Sequence, residues 1–273
     1  MELRFPVELQ GQVAVFLLVL ARVGGLFAVT PFFTGPAIPR RLKTLLAGSI
    51  ALSMAPALAP QWQTALLALS TPGSAILAVA TELGLGITIG FFVAIVIATI
   101  QTGGHFIAQE MGMTVASSID PLTSVQSTIL SQMMSSFAIL MFILMDFHHH
   151  LLRLIAQSFR ALPLGFSVSG VASTWADTLR TIAGVQGAEL FRNAAVLAIP
   201  FTVILLLVTV AMGFLARAAP EMNVFVLGFI LRIIIGLGVL IVLLPVVADV
   251  FEDYLHVALN NGAKFVRSLA GAL

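Results

Sequence analysis

Three charges stand where charge is costly. Arg22, Glu82 and Arg232 each lie inside a long apolar run, and a charge at the centre of a membrane helix costs about 2.5–3.5 kcal/mol on insertion scales. Each must therefore face protein, water or a partner. Two readings stand for them: ion pairs that only fix packing, or groups lining a conduit, since intramembrane charges tend to mark pathways. His148, His149 and His150 raise the question of a metal site. Neighbouring helical residues point about 100° apart, whereas ligands at i and i+4 share a face and can converge on one ion. On that geometry no metal is expected, and the three read as interfacial histidines ending a helix; His105 and His256 are isolated. The chain has no cysteine and no His-Glu-x-x-His or Gly-x-Ser-x-Gly string, so neither a thiolate nor the usual zinc or serine hydrolytic set is available. No catalytic residue and no cofactor is expected.

A second group of residues is suited to movement rather than to bond chemistry. The stretch 101–127, QTGGHFIAQEMGMTVASSIDPLTSVQS, interrupts apolar sequence with glycines and polar groups. Irregular backbone at membrane depth survives only where protein or a water-filled cavity satisfies it. A cavity-lining loop and an ordinary surface loop are the two readings. As a closing plug, Gly103, Gly104 and Gly112 would give the backbone freedom, and Phe106, Met111 and Met113 would present adaptable apolar bulk. Asp120 and Pro121 would cap and start the returning helix. A shorter polar break runs from Arg217 towards Gly228; there Pro220 ends one helix and Asn223 caps the next.

These residues need elements to hold them. Of 273 residues 59% are hydrophobic and 9% charged, with mean hydropathy +1.09, too little polar surface to coat a soluble globule. The fold class is all-α and membrane-associated: six apolar stretches, 12–33, 42–60, 75–100, 128–147, 193–216 and 224–248, approach the roughly 20 residues a span requires. No period-2 alternation competes with helix. The first stretch reads as a retained helix, without the cleavage site of a signal peptide. Residues 166–192 read as an amphipathic helix and Phe251–Leu273 as a last short one. Gly86 and Gly90 make a small-x-x-x-small face for close helix packing. Net charge is +1 and the 13 basic residues are scattered, which leaves no basic patch for nucleic acid. Arg40, Arg41 and Lys43 would place the first loop in the cytoplasm, but Arg153, Arg160, Arg180, Arg192, Lys264 and Arg267 then fall on the wrong side. Either the orientation is inverted or not every helix spans lipid as a hairpin.

Four groups of residues, in order along the chain, resemble the FliR family (SctT in injectisomes). They are Arg22 with Pro31 and Ile38-Pro39-Arg40-Arg41-Leu42-Lys43; Glu82-x-Gly84 to Gly90 with Thr102-Gly103-x-x-Phe106-Ile107, Gln109-x-Met111-Gly112 and Asp120-Pro121; Ser158-Phe159-x-x-Leu162-Pro163-x-Gly165; and Arg217-x-Ala219-Pro220-x-x-Asn223-Val224-Phe225-x-x-Gly228-Phe229. The histidine triplet departs from the family, which usually shows Gly or Asn followed by one His. The resemblance implies a non-enzymatic subunit of the flagellar type III export gate, in the bacterial inner membrane at the flagellar basal body. It implies as partners FliP and FliQ homologues, FlhB, FlhA, unfolded export substrates and membrane lipids. It also implies a single export-gate domain over 1–273, P-like over 1–190 and Q-like over 191–273, with the plug at 103–121. Much of such a gate lies above the membrane plane, which would remove the charge conflict. The virulence injectisome is the alternative system, although the string at 38–43 looks more flagellar. A small-solute transporter is a further alternative, but it should show internal repeats, and none is evident.

Overall fold

A computed structural model describes the chain at residues 6–35, 39–113, 129–166 and 172–271. Among the described residues all regular structure is helical. Helix α1 spans Val7–Val29 and stops because Pro31 drives the residue before it out of the helical region; Thr30 is extended at φ −65°, ψ 120°. Pro31 then opens the short α2, Pro31–Thr34, at a position that needs no amide donor. Helix α3, Arg40–Leu58, passes through a 3₁₀ turn at Ala59–Gln61, which contains Pro60, into α4, Trp62–Ala68. Thr71 and Ser74 then cap one another: each backbone amide donates to the other's hydroxyl at 3.2 Å, and Pro72 starts α5, Pro72–Glu110. The later helices are α6 (Ile129–Leu144), α7 (Phe147–Ala161), α8 (Ala172–Thr181), α9 (Gly187–Ala218) and α10 (Val224–Ala270), with a π turn, Ile182–Gln186, joining α8 to α9.

Several boundaries differ from the sequence reading: α7 follows the fourth apolar stretch as a separate helix, and α9 begins at Gly187, inside the stretch 166–192. Helix α5 does not stop near residue 100, because a helical glycine costs only about 1 kcal/mol and Gly103 and Gly104 are packed rather than free. Helix α10 does not end at 248 with a separate helix after it. No proline or glycine follows Pro245 until Gly262, and the acidic residues at 249, 252 and 253 polarise the helix surface without breaking it. With 39 and 47 residues, α5 and α10 run roughly 58 and 70 Å, about twice the hydrocarbon thickness. Among the described residues five helices are long and apolar enough to cross a membrane, or six if α6 and α7 form one broken span.

The chain divides into two compact units. The first contains 1–94, 146–184 and 255–273. In it α1 packs on α3 and α4 and meets α5 backbone to backbone: a Cβ on Gly86 would land on the Arg22 carbonyl, and one on Gly90 would lie 2.9 Å from the Leu26 carbonyl oxygen. The small-residue face read from Gly86 and Gly90 is therefore this contact. The second unit contains 95–145 and 185–254, with Ile107, Ala138, Phe142, Phe201 and Leu205 in its core. Much apolar surface stays uncovered, Phe214 at 70% and Val242 at 74% among it, and surface of that kind needs lipid or other protein.

Candidate functional site

In the first unit the sequence-distant charges Arg22 and Glu82 meet. Arg22 Nε donates to Glu82 Oε2 at 2.6 Å, and both side chains are wholly buried. The other guanidinium nitrogens donate to Ser158 Oγ at 3.0 Å and to the Leu162 carbonyl at 3.2 Å. The Phe159 ring centre lies 4.1 Å from Arg22 Cζ. Glu82 Oε1 accepts from the Gly165 amide at 3.2 Å, and Gln61 Oε1 accepts from the Leu164 amide at 2.9 Å. Each of the three guanidinium nitrogens thus has an acceptor, as a buried charge requires. The knot ties α1 and α5 to the turn after α7, and Gly165, at φ 70°, takes the left-handed conformation that lets its amide face the carboxylate. Sequence reasoning identified the two charges; Ser158, Phe159 and Gly165 carried no signal of their role beyond their place in a family motif.

In the second unit the start of the stretch 103–121, expected as a plug, is helical. Gly103, Gly104 and Phe106 are part of α5. Gly104 accommodates α6, since a Cβ there would sit 3.1 Å from Ser131 Cα and closer still to Met134. Its role is close packing, not backbone freedom. The helix ends in a Schellman motif: Gly112 has φ 78°, its amide donates to Gln109 O at 2.9 Å, and the Met113 amide donates to Ala108 O at 3.0 Å. Met111 is fully buried and lies on Gly236, where an added Cβ would come within 2.7 Å of its Cγ. Asp120 and Pro121 lie outside the described residues.

The 217–228 break folds as its residues suggest. Helix α9 ends with Arg217 in its last turn, Ala219 is non-helical before Pro220, and Asn223 Oδ1 accepts the Val226 amide at 3.3 Å as the N-cap of α10. Gly112, Phe225, Gly228 and Arg232 line one cavity of about 280 Å³ with Met212 and Phe229. Residues singled out for a plug, a turn and a buried charge are thereby brought together. Arg232 donates to Thr209 Oγ1 at 3.0 Å; among the described residues it meets no carboxylate.

The histidines do not end a helix as expected. Helix α6 stops at Leu144 and α7 starts at Phe147, with Asp146 between them in the left-handed region at φ 57°. The divergence rule presumed consecutive positions in one regular helix; here Asp146 comes from the preceding turn, and one ligand atom each from Asp146, His148 and His149 fall within 4.8 Å of one another.

Helices this long and apolar, closed by a buried ion pair and a methionine-filled gap, define a helical membrane protein. The family model for bacterial export proteins, family 1, matches residues 13–257, and the chain belongs to that family, the FliR family. It is 28% identical over 250 residues to the flagellar biosynthetic protein FliR of Escherichia coli, covering 92% of each chain. It is 30% identical over 243 residues to that of Caulobacter vibrioides (89% of this chain, 93% of the relative). With FliR of Bacillus subtilis it shares 30% identity over 177 residues, 64% and 67% of the two chains.

Proposed function

We propose that this chain, a membrane-embedded component of the flagellar type III export gate, helps form and seal the conduit for unfolded flagellar substrates across the bacterial inner membrane without catalysing a reaction. The FliR family is non-catalytic in general, and its members work with other gate components. The specific partners in this reading are FliP and FliQ homologues, FlhB and FlhA, with 1–190 P-like and 191–273 Q-like. The observation that carries the reading is the closed end of α5, where Met111 fills the gap at Gly236 and Gly112 turns the chain beside the Phe229 ring. Flexible thioether side chains conform to what they touch and return to fill a hole, which suits a seal that must yield to a passing polypeptide and close behind it.

The seal is tested in the assembled gate by deleting residues 113–121 together with Met111→Ala, which removes both the side chain that fills the gap at Gly236 and the segment after it. Conductance in a planar bilayer should rise while gate assembly is retained. A deletion gate as tight as the parent would return this segment to a plain connector.

A further inference from the structure

We infer that Asp146, His148 and His149 form a binding site for a divalent transition-metal ion. Asp146 Oδ1 lies 3.4 Å from His149 Nδ1 and 4.0 Å from His148 Nε2. Metal bonds of about 2.0–2.2 Å put tetrahedral donors roughly 3.3–3.5 Å apart, so small side-chain adjustments seat one ion among the three. The fold brings this about through the turn at Asp146. Its left-handed backbone sets the carboxylate over the first turn of α7, and the two imidazoles stand side by side with centroids 4.1 Å apart. A plain ion pair with Asp146 needs only one imidazole. It leaves the second facing a like ring, whereas a dication takes a lone pair from both.

The donor set selects the class of ion. Two imidazoles and one carboxylate suit Zn²⁺, Co²⁺, Ni²⁺ or Cu²⁺, while Ca²⁺ and Mg²⁺ want shells of oxygen. Three protein ligands leave a coordination position for water or another donor. The side chains are reachable, at 71% exposure for Asp146, 60% for His149 and 32% for His148.

The test uses the full chain in detergent, free of any affinity tag, titrated with Co²⁺ and followed by its visible absorption. One equivalent should bind with the bands of a nitrogen- and oxygen-coordinated ion, Zn²⁺ should displace it, and Mg²⁺ should not. His149→Ala and Asp146→Asn alter exposed groups, and each should weaken binding by at least ~10-fold, the scale on which even outer-shell partners act. His148→Ala with His149→Ala should abolish it, and His105→Ala with His256→Ala should leave it unchanged. Failure of the unaltered chain to take up Co²⁺, or uptake that His149→Ala does not weaken, overturns the site. Metal uptake is read directly and is independent of the export function.

Discussion

Arg22 in the first unit is wholly buried and meets a carboxylate, a hydroxyl, a carbonyl and an aromatic face. Arg232 in the second unit stays partly exposed beside a cavity and donates to one threonine hydroxyl. Both sit in apolar helices, so residue type and local hydropathy do not separate them. What separates them is whether the chain itself completes the charge. The first arginine is neutralised internally and acts as a structural clasp; the second keeps its charge at the edge of the cavity that also receives Gly112 and the 217–228 turn.

The clasp gives the largest expected effect. Glu82→Ala leaves the Arg22 guanidinium buried and uncompensated, which should cost about 3–5 kcal/mol and appear as loss of stable protein and a lowered Tm in detergent. Replacing both partners, Arg22→Met with Glu82→Leu, removes the charge along with its partner and should cost less than Glu82→Ala alone. A double variant no better than that single one would mean that Ser158, Leu162 and Gly165 depend on the ions for more than neutralisation.

The contrast between the two arginines also shows what was legible in the sequence. Long apolar runs fixed the existence of the helices, and local chemistry was readable where it acts over one turn: Asn223 as a cap, Gly86 and Gly90 as a packing face. Gly112 reads in the sequence as a point of backbone freedom, whereas its φ of 78° makes it the stop of α5. Helix ends were misread at residues 100 and 248, because glycine pairs and acidic residues resemble breaks unless the packing that overrides them is known. The Arg22 to Glu82 pair spans 60 residues and the Arg22 to Ser158 bond 136; no periodicity encodes a contact of that kind. The convergence of Asp146 with two histidines was hidden for a related reason. It depends on one residue's positive φ.

The cavity side of the comparison is sharpened at Met111. Truncating a fully buried methionine to alanine typically costs about 2–5 kcal/mol. Because Met111 also fills the gap at Gly236, Met111→Ala should raise ion conductance of the assembled gate as well as lower its Tm. A fall in Tm with no added conductance would make this end of α5 a packing site like the clasp. Asn223→Ala comes next, with a cap loss of about 0.5–2 kcal/mol, seen as reduced yield of the gate at unchanged ion tightness. Increased leak at normal yield would instead make the 217–228 turn part of the seal.

The smallest effect is expected at Arg232 itself. Its single hydrogen bond to Thr209 contributes on the order of 0.5–1.5 kcal/mol, and no buried carboxylate among the described residues is left unpaired by its removal. Arg232→Met should therefore shift the Tm of the purified chain by only a small fraction of the Glu82→Ala shift, and Thr209→Val should shift it by a similar small amount, since each removes the same contact. The two changes together should cost little more than either alone, as two ends of one hydrogen bond do in a double-mutant cycle. A Tm loss for Arg232→Met approaching that of Glu82→Ala would break the comparison: Arg232 would then be a second clasp, and the distinction between a charge completed inside the chain and one left at a cavity would no longer separate the two units.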